Sequence, residues 1–519
     1  MGVIKKTFFL FLFFTFFVLW FAAVLKMPMD HEDIKDEPWH VSSIIKALDA
    51  ARSIQDIAQA NVQYPPAYYM LAFASCKIAD AINRMTLALP NFLLFIILLL
   101  IVARLGNLLY GSFSSMAAFL IAGIFYFPYS FQMTTNMSII VSVALYFLLS
   151  YELTYREDIR RFVFYGLSIA FAFLSKQTAI VFLVVPLILL IYGRTKANRF
   201  TKQFFIKLLI SITAGLLLAY LLFYRSWQGI SLIRDLARRS MKTHGEIPFT
   251  PENLFDNAIY YSAIMIGSFA ALVIASAIHL VRSKGQHLER HLNILLSVWI
   301  PIGILSLFPT KYVDYILPVI SLWIVLLCSA LQGGDEKRKI VSAIYAAAFF
   351  ITIFSLVSFV VRNVRYDFRS YKAQELLIDD LAEQISRNDM ENGICFYSGT
   401  RKMAGYSYNN HMLMRHKPKF CLREFKEAGS LPDFVVVFRT KSPADPSTCY
   451  TMGELNAWKA SKTYISPPAD EEARLALRLI TDFKSIHTMS NSYVWNYKDK
   501  HYKPKSFSFC EKTSFLAEN

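Results

Sequence analysis

What most constrains this chain is a succession of apolar runs, each about as long as a bilayer is thick. They begin near Phe8, Pro90, Gly111, Ser138, Phe162, Thr178, Phe204, Ala258, Leu292, Tyr312 and Ile340, about eleven in all. A spanning helix needs roughly 20 mostly apolar residues, because each backbone N–H and C=O in hydrocarbon must be satisfied within the segment. Composition agrees: 55% of the 519 residues are hydrophobic and 15% aromatic, with mean hydropathy +0.38. Soluble domains have roughly 45–50% apolar content. The sequence predicts a polytopic α-helical membrane protein with about 11 transmembrane helices.

A formal charge of +16 would suggest nucleic acid in a soluble chain. Here the Lys and Arg residues sit mainly in short clusters between apolar runs, the positive-inside pattern, so nucleic acid is not an expected partner. Lys5-Lys6 precede the first run and no small-residue cleavage site follows it, which predicts an uncleaved helix entering from the cytoplasm. Threading onward puts Arg104, Tyr155–Arg161, Arg194–Lys202, Arg282–Arg290 and Asp335–Lys339 on the cytoplasmic side. Lys26–Leu89, Phe127–Asn136, Arg225–Asn257 and everything after Val361 then lie outside.

Two of these outer segments are too long to be turns. In the first, Ile44, Ile45, Leu48, Ile54 and Ile57 alternate at helical spacing with Lys46, Asp49, Arg52 and Asp56, predicting a helix in the interface plane. Pro65-Pro66 break the chain before a second short helix from Ala67. After Val361 the pattern becomes that of a small extramembrane α/β domain: helices over Gln374–Met390 and Glu471–Ile480, strands at Ile394–Tyr397, Phe434–Phe438 and Tyr493–Trp495. The expected domains are residues 1–361 in the membrane and 362–519 outside it. Cys395, Cys421, Cys449 and Cys510 fall in the outer domain and can form two disulfides if that face is oxidising, with three connectivities open; free buried thiols are the competing reading.

There is no phosphate-binding Gly-rich loop, dinucleotide fingerprint, HExxH pair or GxSxG elbow, so no nucleotide cofactor is expected. What stands out is the acidic stretch after the first run: Asp30, Glu32, Asp33, Asp36 and Glu37, with His31 and His40. A solvated loop explains most of these residues. Asp36 and Glu37 are placed differently, because the amphipathic helix begins straight after them and a helix N-terminus holds carboxylates in place. A carboxylate at such a boundary can serve as a general base when desolvation or a neighbouring charge raises its proton affinity.

Asp36-Glu37-Pro38-Trp39-His40, followed by Tyr64-Pro65-Pro66-Ala67-Tyr68-Tyr69-Met70-Leu71, resembles the first outer loop of the GT-C glycosyltransferases that use polyprenyl-phosphate sugars. The likeness is to the protein mannosyltransferase and aminoarabinose transferase group, and to the dolichol-linked oligosaccharide glucosyltransferase. Phe173-Leu174-Ser175-Lys176-Gln177-Thr178 is similar to a second stretch of these families, and Thr310-Lys311-Tyr312-Val313-Asp314-Tyr315-Ile316-Leu317-Pro318 to a segment that opens a late helix. The resemblance implies that Asp36 is the catalytic base, supported by Glu37. It places His40, Tyr64 and Tyr68 as acceptor- or loop-positioning residues.

Independently of the family, an ammonium at membrane depth such as Lys176 is normally paired or functional, with snorkelling to an interface as the bland alternative. Arg234, Arg238, Arg239, Lys242 and His244 run against the positive-inside tendency on an outer loop, where anionic headgroups or a lipid-linked phosphate would attract them. Lys176, Arg234 and Arg238, joined by Lys311 from the late-helix segment that the resemblance brings in, are the expected donor-phosphate ligands. Glu37, His40 and His244 have metal-ligand chemistry, but the sequence does not bring them together, so a divalent metal stays open.

The expected function is transfer of a sugar from a polyprenyl-phosphate carrier to a glycan, lipid or protein acceptor outside the cytoplasm, with inversion. A lipid-oligosaccharide flippase is the alternative, though the repeat halves common in transporters are not evident; an O-antigen-ligase-like enzyme is a third. The one N-x-S/T match, Asn136-Met137-Ser138, lies at a membrane boundary, which favours a bacterial inner membrane over an endoplasmic reticulum.

Overall fold

The computed structural model describes residues 2–26, 40–41, 43–44, 65–224, 251–267, 269–282, 286–307, 313–331, 346–357, 394–397, 423–424, 434–439, 458–465 and 506–512. The helices are α1 (Gly2–Lys26), α2 (Ala67–Ala79), α3 (Arg84–Tyr110), α4 (Ser112–Tyr126), α5 (Asn136–Tyr155), α6 (Ile159–Ser175) and α7 (Ile180–Lys196). They continue with α8 (Lys202–Ala219), α9 (Pro251–Gly267), α10 (Ala270–Arg282), α11 (Gln286–Ser306), α12 (Leu317–Leu327) and α13 (Ala346–Val357). Each expected apolar run falls on one of these helices or on the α9–α10 pair.

Spanning length is a stricter test. Among the described residues seven helices are long and apolar enough to cross a bilayer, or eight if α9 and α10, bent by 91° at their junction, form one broken span. The expectation of eleven is not met at that level, for local reasons. α6 has 17 residues and begins Ile159-Arg160-Arg161, and its far end is cut off by an extended Lys176. α12 has 11 residues and continues through a 3-10 turn, Cys328–Leu331. α13 is likewise a shorter apolar helix. The short α2 opens after Pro65-Pro66, as expected.

Start signals explain where the helices begin. Asn83 accepts from Thr86 N–H and Thr86 reciprocates at the Asn83 N–H, a capping box that opens α3 well before Pro90. Pro90 therefore lies inside α3 instead of at its start. The Thr201 hydroxyl accepts from Phe204 N–H (3.1 Å) and opens α8 in the same way. Gly111, with φ +91°, makes the tight joint between α3 and α4 that a residue with a Cβ would strain.

Burial sorts the helices. Every residue of α12 is buried, and the apolar windows of α3 and α5 are 67% and 78% buried, so these form the centre. Those of α1 and α8 are 22% buried, leaving most of their apolar surface for lipid. α6 and α8 cross closely because both carry glycine at the contact. A Cβ on Gly166 would come 2.6 Å from Ser211 O, and one on Gly215 would collide with the Gly166 carbonyl. Gly215→Ala should lower the melting temperature in detergent, at an overpacking cost of about 1–3 kcal/mol. Gly303→Ala, with nothing within 4 Å of the new methyl, should leave it unchanged.

The segments threaded to the cytoplasm are brought together. Glu152 at the end of α5 receives Arg104 Nε at 2.6 Å and Arg161 Nε at 2.8 Å. Arg194, buried at the end of α7, donates to Leu153 O (2.7 Å) and Glu157 (2.9 Å) and lies 4.3 Å from the Phe204 ring centre. Lys196 pairs with Glu289 at 2.9 Å, and Arg290 donates to Leu109 O. One basic helix-end face results, and α6 carries the chain from it to the opposite end.

Beyond the helices, the described strands β1 (Ile394–Tyr397), β2 (Arg423–Glu424), β3 (Phe434–Arg439), β4 (Trp458–Ile465) and β5 (Ser506–Lys512) form a mixed sheet. Its order is β2-β1-β3-β5-β4, with β5 antiparallel to both neighbours and β1 parallel to β2 and β3. Two expected strands are present. The expected helices at 374–390 and 471–480, and the strand at 493–495, lie outside the described residues. β5, Ser506-Phe507-Ser508-Phe509-Cys510, carries the strict polar–apolar alternation of a half-buried strand, a signal the sequence analysis passed over.

The register also bears on the cysteines. Cys395 pairs with Val435, and Val435 with Cys510, so the two cysteines stand in one row two strands apart. At roughly 4.8 Å per strand their Cα atoms are about 10 Å apart, beyond the roughly 7 Å reach of a disulfide. Of three connectivities two survive, and non-reducing peptide mapping should recover no Cys395–Cys510 link. Cys76 and Cys328 are free and buried in the helical part.

Candidate active site

At the end of the bundle opposite the basic face, four separated stretches of sequence meet. α6 ends at Ser175, whose hydroxyl donates back to Phe171 O (2.6 Å). Lys176 then adopts extended backbone (φ −159°, ψ 134°) between α6 and the 3-10 turn Gln177–Ala179. Its N–H still reaches Ala172 O (3.0 Å) and its carbonyl receives Ala179 N–H (3.1 Å), so the break costs few backbone bonds. The half-buried Lys176 ammonium lies 5.3 Å from the Tyr315 ring centre, a cation–π contact. The ammonium is thus turned toward a neighbouring element.

Tyr224 clamps this motif from the other side. α8 passes into a π-helical turn, Tyr220–Tyr224, of the kind that often occurs at functional sites. The turn sets the Tyr224 hydroxyl 2.8 Å from Phe173 O. Ala67, the first residue of α2, packs in a small apolar cluster with Leu174, Ala219, Phe223 and Tyr224. The Pro-Pro-Ala-Tyr-Tyr stretch and the Lys176 stretch are thus in contact.

His40 completes the arrangement. It is 2% exposed, its Nδ1 shares a short hydrogen bond with Tyr69 Oη, and its ring centre lies 5.5 Å from Tyr69 and 6.3 Å from Tyr68. Burial first, and then the Lys176 charge, hold the imidazole down to about 3 from its ordinary 6.5, so His40 is neutral at physiological pH. The unfolded chain takes up this proton below 6.5 and the folded chain does not, so His40 costs stability as pH falls from 6.5 toward 3 and nothing above that window.

Of the residues expected from sequence, Lys176, His40 and Tyr68 are brought together here. Asp36, Glu37, Tyr64, Arg234, Arg238 and Lys311 lie outside the described residues, as does His244. The Tyr68 hydroxyl donates to Leu87 O (3.1 Å), holding α2 on α3. Its neighbour Tyr69 meets His40, and Tyr315 meets Lys176. Sequence analysis named neither in a role, although both sit inside the quoted motifs. Among the described residues no group of three or more His, Cys, Asp or Glu is placed to hold a metal.

The turn that follows α4 is pinned to α1 and α3. Asn91 Nδ2 donates to Gln132 O (2.6 Å) and Thr134 O (2.9 Å), Arg84 to Phe131 O (3.1 Å) and Trp20 Nε1 to Ser130 O (3.2 Å). Thr134, Thr135 and Asn136 are buried in consequence.

Residues 63–224, which include α2 and the Lys176 motif, match the family model described as dolichyl-phosphate-mannose-protein mannosyltransferase. No curated protein matches the sequence. Among solved structures the chain is similar to ArnT from Cupriavidus metallidurans bound to undecaprenyl phosphate, with TM-score 0.61 at 10% identity over 99% of both chains. The same protein in its apo state matches with TM-score 0.54 at 11% identity, over 83% of this chain and 93% of that one. Residues 63–224 thus match a protein mannosyltransferase domain model, and the chain as a whole has a fold similar to that of ArnT.

Proposed function

We propose that the protein transfers a hexose or pentose from a polyprenyl-phosphate carrier to a glycan, lipid or protein acceptor on the extracytoplasmic face. The observation that carries this reading is the convergence of four motifs at one end of the bundle: His40 from the first, Tyr69 from the second, Lys176 from the third and Tyr315 from the fourth. The four residues fall on the three stretches that carry the resemblance, 36–40 with 64–71, 173–178 and 310–318, and a lipid phosphate is the ligand that their shared chemistry suits.

Asp36, four residues before His40, takes the proton of the acceptor hydroxyl. The acceptor oxygen forms its bond to the anomeric carbon as the bond from that carbon to the phosphate oxygen breaks. The electron pair leaves with the polyprenyl phosphate, and one displacement inverts the anomeric centre. Glu37 supports Asp36. The leaving phosphate's charge is offset by Lys176, Arg234, Arg238 and Lys311, an electrostatic contribution that counts most where water is excluded. The donor arrives already activated on its lipid, so no nucleotide is needed.

The eleven-span topology, with α6, the α9–α10 pair, α12 and α13 as the spans below or at the edge of the length criterion, and the soluble domain after residue 361 outside the cytoplasm, belong to the same proposal, as does a bacterial inner membrane. The domain match is to a transferase family and not to a carrier, so the flippase alternative takes second place. Membranes containing the protein, supplied with polyprenyl-phosphate sugars, should release polyprenyl phosphate in step with acceptor glycosylation. Mass spectrometry of glycolipids and glycans lost on deleting the gene identifies the acceptor. Unchanged donor lipid across a panel of sugars would overturn the reading.

A further inference from the structure

An α-helix leaves its last four carbonyls without an intrahelical partner, and some other donor has to meet them. α6 ends at Ser175, so Ala172 and Phe173 supply two of these carbonyls. Ala172 O is met by Lys176 N–H (3.0 Å). In a helix that ran on, Phe173 O would be met by Gln177 N–H. The extended backbone of Lys176 (φ −159°, ψ 134°) carries that N–H away, and the Tyr224 hydroxyl donates to Phe173 O instead (2.8 Å). Among the described residues no backbone N–H reaches this carbonyl. The reach is built into the packing of α6 on α8. Contacts advance together along the two helices, Phe162 with Phe204, Gly166 with Gly215 and Phe173 with Tyr224, so the helices run parallel, and the paired glycines set them close. Roughly two turns beyond the glycine crossing, the π-helical turn Tyr220–Tyr224 brings the phenol onto the open end of α6.

We propose that Tyr224 is a positioning residue for group transfer: by taking the Phe173 carbonyl it ends α6 just before Lys176 and holds that residue extended, with its ammonium turned toward Tyr315. This inference rests on the transfer reading of the site, in which Lys176 offsets the charge of the leaving phosphate. Without the phenol oxygen, Phe173 O loses its donor. The nearest replacement is Gln177 N–H, and that bond forms only if Lys176 turns helical. The ammonium then leaves the side on which it meets Tyr315. A charge stabilises a developing oxyanion best when it is held in place beforehand, so the phenol acts on the rate through the lysine.

The test combines a spectrum with a mutant cycle, and the spectrum needs no substrate. In the full-length protein carrying ¹³C-lysine and ¹⁵N-glutamine, only Lys176-Gln177 and Lys202-Gln203 give a lysine–glutamine signal, and the first is the one that vanishes in Lys176→Met. The wild type should show ¹³C shifts of extended backbone at Lys176, and Tyr224→Phe should move them toward helical values. A helical Lys176 in the wild type, or unchanged shifts in the variant, would overturn the assignment.

Tyr224→Phe keeps the ring, and with it the cluster of Ala67, Leu174, Ala219 and Phe223, so the protein should fold. Its kcat should fall on the order of tenfold, the scale of one intramolecular hydrogen bond, with less change in KM for the lipid donor. Because Tyr224 acts through Lys176, the same substitution should cost little more in a Lys176→Met background. Gln177→Pro supplies the rescue, since proline has no N–H to offer Phe173 O and holds the residue before it extended. Among the described residues, Gln177 N–H donates to no backbone carbonyl and the Gln177 side-chain oxygen has no partner, so proline breaks no bond that either makes. Tyr224→Phe combined with Gln177→Pro should therefore match Gln177→Pro alone. An undiminished kcat in Tyr224→Phe, an equal loss in the Lys176→Met background, or a double variant slower than Gln177→Pro alone would overturn the proposal. Absence of transfer in the wild type with every donor would instead overturn the transfer reading, and the Lys176 shifts would still decide whether Tyr224 ends α6. Melting temperatures of the purified variants identify any that fail to fold.

Discussion

Asp36→Asn should remove nearly all sugar transfer, with a loss on the order of 10²–10⁴ in kcat, the contribution typical of a positioned general base. Asparagine has the size and polarity of aspartate but no lone pair basic enough to take the acceptor's proton, so the protein should fold and still bind its lipid donor. KM for the donor should change little, because the proposed mechanism gives the donor's phosphate to cations and not to this carboxylate. Asp30, Glu32 and Asp33, carboxylates of the same loop, provide the contrast. Their amide variants should transfer at close to the wild-type rate, since a solvated rim neither holds nor moves the reacting proton. A loss spread evenly over all these carboxylates would mean that the loop acts through net charge.

Lys176→Met should cost on the order of 10²–10³ in kcat, the scale of removing one preorganised group from a developing oxyanion. Methionine retains the length and apolar stem, so packing beside Tyr315 survives. Lys176→Arg should recover part of the loss, since a guanidinium keeps the charge and the contact to the Tyr315 ring but not the compact geometry. Removing the ammonium also takes away the second cause of the low His40 proton affinity, so the His40 pKa should rise in Lys176→Met. A structural lysine would show a different pattern: a lowered melting temperature with kcat intact in the surviving protein.

The membrane character was plain from the sequence because hydrocarbon imposes a length and composition on every crossing, and each apolar run does fall on a helix or on the bent pair. The number of full spans was less legible. α6 and α12 are short because of what surrounds them, an extended Lys176 in one case and a wholly buried position among other helices in the other, and neither is visible in hydropathy. The helix around Pro90 shows the same limit: the apolar run begins near Pro90, while the capping box at Asn83 and Thr86, also present in the sequence, starts the helix earlier.

At the site, the residue types were legible and the pairings were not. Lys176 was conspicuous as a charge between two apolar runs. That it faces Tyr315, and that the second tyrosine of the Tyr68-Tyr69 pair is the one that meets His40, depends on the rotation of α2 and on chain ends more than a hundred residues apart. Sheet order was equally hidden, because β5 inserts between β3 and β4 from the far end of the chain.

Transfer and translocation are separated most directly in one system: purified protein in liposomes, with a labelled polyprenyl-phosphate sugar and acceptor supplied. The proposed mechanism predicts free polyprenyl phosphate and inverted product in equal amounts, and neither with Asp36→Asn. Labelled donor lipid appearing intact in the opposite leaflet, with no polyprenyl phosphate released, would contradict it.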